Sequence, residues 1–208
     1  LWLWLAVSLA CSATALSRQQ PSEPVLETNL AVIQRLIGNI SAQLLGSARM
    51  SKGERVALRI ADDGENWIVR NEIASALKAE SILVFQSNDG PSDSLVVLQV
   101  SSAEMTVRYA DMHREGLFGA RRIRRDVAAR ISCQVIDART REVRYSGSLA
   151  DSAADTVPVD DIERIETAGV ETTHASLPPE NLLDKIVEPF VIIGATGVVI
   201  YLLFHVRS

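Results

Sequence analysis

The sequence predicts an α+β domain, with an antiparallel-rich sheet carrying helices on one face, and one C-terminal transmembrane helix. Three observations predict it. Apolar residues recur every three or four positions near the start of the chain, then every second position through its middle. An uncharged apolar run lies near its end. The 208 residues suffice for one medium domain with terminal segments. A net charge of -5 with 47% hydrophobic residues speaks against disorder throughout, and against a nucleic-acid partner, which favours a basic surface.

The chain opens LWLWLAVSLACSATALS with no Met, so an earlier start is expected. An apolar stretch followed by Ala13-Thr14-Ala15 fits a secretory signal with its cleavage site, assigned to residues 1–16. An uncleaved anchor and lipidation at Cys11 are the alternatives, the second weakened by Ser8 where a Leu-like residue is usual. With Cys11 removed, Cys133 is alone and is expected as a small buried hydrophobe. Residues 17–24, SRQQPSEP, read as a linker, and 25–152 as the extracytoplasmic domain.

Leu26, Leu30, Ile33, Ile37, Ile40 and Leu44 form one apolar stripe, predicting a helix packed on a sheet. After the turn Ser51-Lys52-Gly53, Val56, Leu58 and Ile60 alternate as a strand. Asn66 to Lys78 is a second helix with Val69, Ile73 and Leu77 on one face, and SILVFQS is a short strand. NDGPSDS is a loop, Leu95–Val100 a strand, and Met105, Val107 and Tyr109 continue the alternation beyond Ser101-Ser102. Val127, Ala129, Ile131, Cys133 and Val135 alternate with polar neighbours. Asp137 to Glu142 turns, and Val143, Tyr145 and Leu149 lead back: a hairpin with one face towards a core. Residues 153–187, with Pro158, Pro178 and Pro179, are expected as a tether with short helices.

Pro189 to Val206 carries no charge, which predicts a membrane helix within residues 188–207. An exported N-terminal side with Arg207 inside gives a single-pass inner-membrane topology, domain in the periplasm and C-terminus in the cytoplasm. The lipid bilayer, met by residues 189–206, then counts as a partner. Gly194 and Gly197 fall in a small-residue patch suited to helix packing.

The middle of the chain, from RVALRIAD through ILVFQS to ARISCQVIDARTREVRYSGSLADS, resembles a group of bacterial envelope domains. They include the periplasmic domain of the curli secretion channel, the lipoprotein activators of penicillin-binding proteins, and the amino-terminal domain of TolB. Their final hairpin reads V-D-x-x-T-G-E, then a strand, then W-S-G. Here Val135-Ile136-Asp137, Thr140, Glu142 and Ser146-Gly147 match, while Arg141 stands for the turn glycine and Tyr145 for the tryptophan. The resemblance covers about Arg55 to Ser152 and implies the fold; it assigns no single role.

Catalytic and metal motifs are lacking. His113, His174 and His205 are dispersed, no nucleophile elbow or phosphate loop is present, and Asp62-Asp63 and Asp160-Asp161 read as helix caps. Asn39-Ile40-Ser41 is a sequon inside a predicted helix. The remaining candidate is Arg121, Arg122, Arg124 and Arg125, with Arg114 and Arg130 nearby, beside Leu117 and Phe118 between Gly116 and Gly119. Either it is a solvated hairpin end, or it docks on a partner or on anionic lipid. No cofactor is expected. The reading is a non-enzymatic, membrane-anchored accessory or assembly factor that binds a protein of the envelope or membrane. The alternatives are a structural subunit of a membrane complex and a hydrolase or ligand-binding domain.

Overall fold

A computed structural model describes residues 26–62, 64–86, 96–116, 119–179 and 182–205. The expected signal, linker, Cys11, Asp63 and NDGPSDS loop lie outside the described residues.

Thr28 starts helix α1 (Asn29–Ser47), its hydroxyl accepting from the Ala31 N–H at 3.2 Å. Val32, Ile33, Leu36, Ile37, Ile40 and Leu44 are buried, the stripe expected from their spacing. Strand β1 (Arg55–Arg59) follows, then α2 (Asn66–Ala79) with Val69, Ile73 and Leu77 buried, then β2 (Leu83–Gln86). Three long strands complete the sheet: β3 (Val96–Arg114), β4 (Arg121–Asp137) and β5 (Val143–Pro158).

Strand order is β2-β1-β3-β4-β5. β3, β4 and β5 pair antiparallel, but β1 runs parallel to both β2 and β3. The sheet is therefore mixed α/β, which corrects the expected antiparallel-rich α+β class. Its cause is α2, which returns the chain across the sheet so that β1 and β2 point the same way. Alternation identifies a strand and its buried face, and is blind to its direction.

β4 buries alternate residues along its length, and β3 does so at its start. Val127, Ala129, Ile131, Cys133 and Val135 join Val96, Leu98 and the α1 and α2 stripes in one core. Burial pushes the Cys133 thiol up to about 11, which keeps it protonated and inert. Beyond this core the three strands run on into a smaller cluster of Tyr109, Ile123, Val157, Ile162 and Ile165.

That second cluster corrects the expected tether. β5 continues to Pro158, and a 3-10 turn (Val159–Asp161) and α3 (Ile162–Ile165) fold back on the strands. Another 3-10 turn (Glu171–Thr173) buries Thr173. His174 secures the segment through Glu166 at 2.9 Å and the Thr167 carbonyl at 3.1 Å.

The membrane helix is corrected as well. No helix among the described residues is long and apolar enough to cross a membrane. Helix α4 (Leu182–His205) begins six residues ahead of Glu188, and its sequence there includes Asp184 and Lys185. The single-pass inner-membrane placement, with the two sides assigned by it, falls with the span.

Candidate docking surface

The four arginines of the hairpin end do not act together. In a strand, neighbouring residues face opposite ways, so Arg124 and Arg125 belong to different faces. Arg125 shares its face with Ile123 and Val127 and is only 1% exposed. It is the correction to the expected basic knob, because a buried guanidinium is closed to any partner.

A closed set of acceptors surrounds it. Arg125 donates from Nε to Asp155 at 2.8 Å, and from Nη1 to the Glu27 carbonyl at 2.8 Å and to Asn29 Oδ1 at 2.9 Å. Its Nη2 reaches the other Asp155 oxygen, completing a bidentate pair. Asn29 in turn donates to the Tyr109 hydroxyl at 2.9 Å and to the Thr173 carbonyl at 2.6 Å. Burial pushes the Tyr109 phenol up. The N-terminus of α1, all three long strands and the C-terminal segment thus meet at one cation.

The other arginines are exposed or half-exposed and paired. Arg122 lies 2.6 Å from Glu115. Arg124 meets Asp126 at 2.9 Å and Asp111 at 3.1 Å. Asp111 sits at a bulge with φ 50°, which turns its carboxylate towards Arg124. These acids offset much of the positive charge. Leu117 and Phe118 lie outside the described residues. On α4, Gly194 and Gly197 have open space where a Cβ would stand, among exposed Ile193, Val198, Tyr201 and Phe204.

The β4–β5 turn accounts for the residues that carried the resemblance. The Asp137 carboxylate accepts from the backbone N–H groups of Arg139 and Thr140, both at 3.0 Å, and the Thr140 hydroxyl accepts from the Glu142 N–H. Arg144 bridges Asp137 at 2.8 Å and Glu54 at 2.6 Å, tying the turn to the start of β1. Gly147 leaves room for the Tyr145 ring, since a Cβ there would stand 3.1 Å from the phenol oxygen.

Arg141, at the glycine position of the pattern, has φ 60°. A side chain in that region costs about 1–2 kcal/mol, and glycine's extra unfolded-state freedom returns about 0.5–1 of it. Arg141→Gly is therefore expected to stabilise the fold by about 0.5–1 kcal/mol in chemical denaturation. A destabilised variant would mean that the arginine side chain has a role in the turn.

The Thr140 N–H and then Arg144 hold the Asp137 carboxyl down at about 2. The unfolded chain takes up its proton first, near about 3.9, so the stabilisation is complete above about pH 5 and fades as the pH falls towards 2. The stability gap between wild type and Asp137→Asn should narrow over that interval. A gap that stayed constant on acidification would place its origin in packing.

Other candidates separate. His113 lies beside the Asp111 carbonyl on β3, His174 is in the C-terminal segment, and His205 stacks on Tyr201 with ring centres 5.1 Å apart. Asp62 pairs with Arg70, and Asp161 with Arg164. No side-chain cap hydrogen bond is made at the start of α2 or of α3, so neither acid serves as the expected cap. Among the described residues no three His, Cys, Asp or Glu side chains converge as a metal site would require. Asn39 is exposed on α1 and donates to Asp151 at 2.9 Å.

Two surfaces remain. One is the helix-free face of the long strands, where registered rows run Ser102–Ser132–Ser148, Glu104–Arg130–Ala150, Thr106–Ala128–Ser152 and Arg108–Asp126–Ala154. The other is the β3 edge. β1 pairs with β3 only as far as Gln99, and among the described residues no strand continues that side. A bulge lies between Val100 and Ser102, where the Ser101 hydroxyl donates to the Ser132 carbonyl.

No family model matches this chain. No curated protein matches it either. Its structure is similar to several solved ones. Uncharacterized lipoprotein B from Nitrosomonas europaea has a TM-score of 0.38 and 15% identity over 62% of this chain and 76% of that one. A minor lipoprotein from Acinetobacter baumannii gives 0.32 and 14%, over 59% and 75%. The LpoB C-terminal domain from Salmonella enterica gives 0.31 and 10%, over 57% and 96%.

Proposed function

We propose that this chain is a non-enzymatic accessory or assembly domain of the bacterial cell envelope that binds another protein. The helix-free face of β3, β4 and β5 is the observation that carries it. From Arg122 to Gln134 that face extends roughly 40 Å, and three strands give it a width of about 14 Å. Its residues are short, polar or charge-matched across strands, as in Glu104 opposite Arg130 and Arg108 opposite Asp126. Small-molecule sites are concave and mostly apolar, whereas a protein partner needs a broad patch of about 800 Å². Arg122 and Arg124 would extend the patch at the hairpin end. Arg125 drops out of it. Gly194 and Gly197 would let a partner helix approach α4.

A photo-activatable residue at Ser148 of the full chain is expected to capture one defined protein in envelope preparations, while the same residue at Lys52, away from this face, does not. Equal labelling from both positions would overturn the proposal.

A further inference from the structure

We infer that the open edge of β3 is an acceptor for an extended, basic segment of a partner protein, which adds as a further strand along Ser101 to Thr106. This rests on the protein-binding reading above and gives it a site and a chemistry. The strand lengths create the edge: β3 has 19 residues and β1 has 5, so the chain leaves the sheet after Arg59 while β3 continues. In a strand, alternate residues present N–H and C=O to each side, so this stretch offers a ladder that no strand among the described residues takes up.

The edge is one wall of an open groove of about 1000 Å³, whose other side is formed by the start of α2 and by Gly169, Glu171 and Thr172. Glu65 ties that side together, its carboxylate accepting from the backbone N–H and hydroxyl of Thr172. The opening is thus held by hydrogen bonds between α2 and the C-terminal segment.

Charge selects the occupant. Glu65, Glu104 and Glu171 line the groove; Arg130 stands opposite Glu104 on β4, outside it, and among the described residues no Lys or Arg lines the groove. A second copy pairing antiparallel here would bring two Glu104 side chains together, which disfavours self-association. A strand carrying Lys or Arg places opposite charge against the same carboxylates. Backbone pairing supplies the binding, and the acids supply the choice.

The test titrates the full chain with a labelled, capped peptide alternating valine and threonine around two lysines, and with its twin carrying glutamates in their place. The lysine peptide is expected to bind about tenfold more tightly or better, a preference that weakens with salt. Slowed amide exchange should appear within residues 102–107. Glu104→Gln, which keeps the shape of the exposed side chain, should remove most of the preference, and Glu104→Lys should reverse it. Equal binding of both peptides, no binding at millimolar concentration, or protection elsewhere in the chain would overturn the inference. So would dimerisation that Glu104→Lys strengthens. Capture from Ser148 reads the other surface, so loss of peptide binding with capture retained defeats this inference alone. Loss of capture with peptide binding retained defeats the broader reading of the helix-free face.

Discussion

Replacing Asp155 by alanine is expected to cost about 3–5 kcal/mol, the largest effect of any single exposed or half-exposed side chain in the fold. The reason lies with its partner. Arg125 is 1% exposed, and Asp155 supplies its only counter-charge among the contacts described above. Without the carboxylate the guanidinium keeps two neutral acceptors, the Glu27 carbonyl and Asn29, while its charge stays in the interior. The converse variant is milder. Arg125→Met removes the buried charge itself, and the Asp155 side chain, 48% exposed, is hydrated in place. What remains is the unmet hydrogen bonding of Asn29 and Glu27, about 1–3 kcal/mol. Chemical denaturation of the two variants should therefore rank Asp155→Ala below Arg125→Met. The double variant should resemble Arg125→Met, since Asp155 has little to lose once its partner is gone. The opposite order would show that solvent reaches the guanidinium freely.

Ile37→Ala is the second large effect, about 2–5 kcal/mol. Ile37 is 0% exposed in the middle of α1, within the cluster formed by α1, α2 and the sheet. Truncation removes three carbons from a cluster built mainly by α1, α2 and the sheet, whose regular elements limit how far the gap can close. Ile37→Val, which leaves a smaller void, should lose about 0.5–1.5 kcal/mol. Val143→Thr at the exposed start of β5 should stay within about 0.5 kcal/mol of wild type. If alanine at 37 cost no more than the control, α1 would not be seated on the sheet as described.

Much of the architecture was legible because one periodicity dominated each segment. The four-three spacing from Leu26 to Leu44 located α1, and the alternation from Val127 to Val135 located the buried face of β4. Extended one step back, that same alternation reaches Arg125 and Ile123, both buried. The signal that separates Arg125 from its neighbours was thus present, and was hidden by treating four arginines as one charge cluster. Its acceptors were not legible. Asp155 and Asn29, with the Tyr109 and Thr173 oxygens that accept from Asn29, come together through strand register and a folded C-terminal segment, and neither can be read from local pattern. The direction of β1 escaped for a related reason: it depends on where α2 carries the chain. For α4, an uncharged run in the sequence did not by itself make a helix long and apolar enough to cross a membrane.

The turn residues tell a different story. Asp137, Thr140 and position 141 have local jobs, set by backbone geometry within a few residues, so a short pattern captured them. Even the departure at Arg141 kept the left-handed backbone that the pattern implied. Features satisfied by neighbours in sequence were readable. Those satisfied across the fold were not.

The buried arginine has a consequence in time. Asn29 donates to the Thr173 carbonyl 144 positions away while accepting from Arg125, a set complete only after all three long strands and the C-terminal segment have assembled. Contacts that distant form late, so their energy is absent from the folding barrier and present in the unfolding one. Asp155→Ala should leave the refolding rate nearly unchanged and speed unfolding by roughly a hundredfold to a few thousandfold, the whole of its about 3–5 kcal/mol. The guanidinium acts as a latch: it governs the lifetime of the folded molecule and has little part in the speed of its formation.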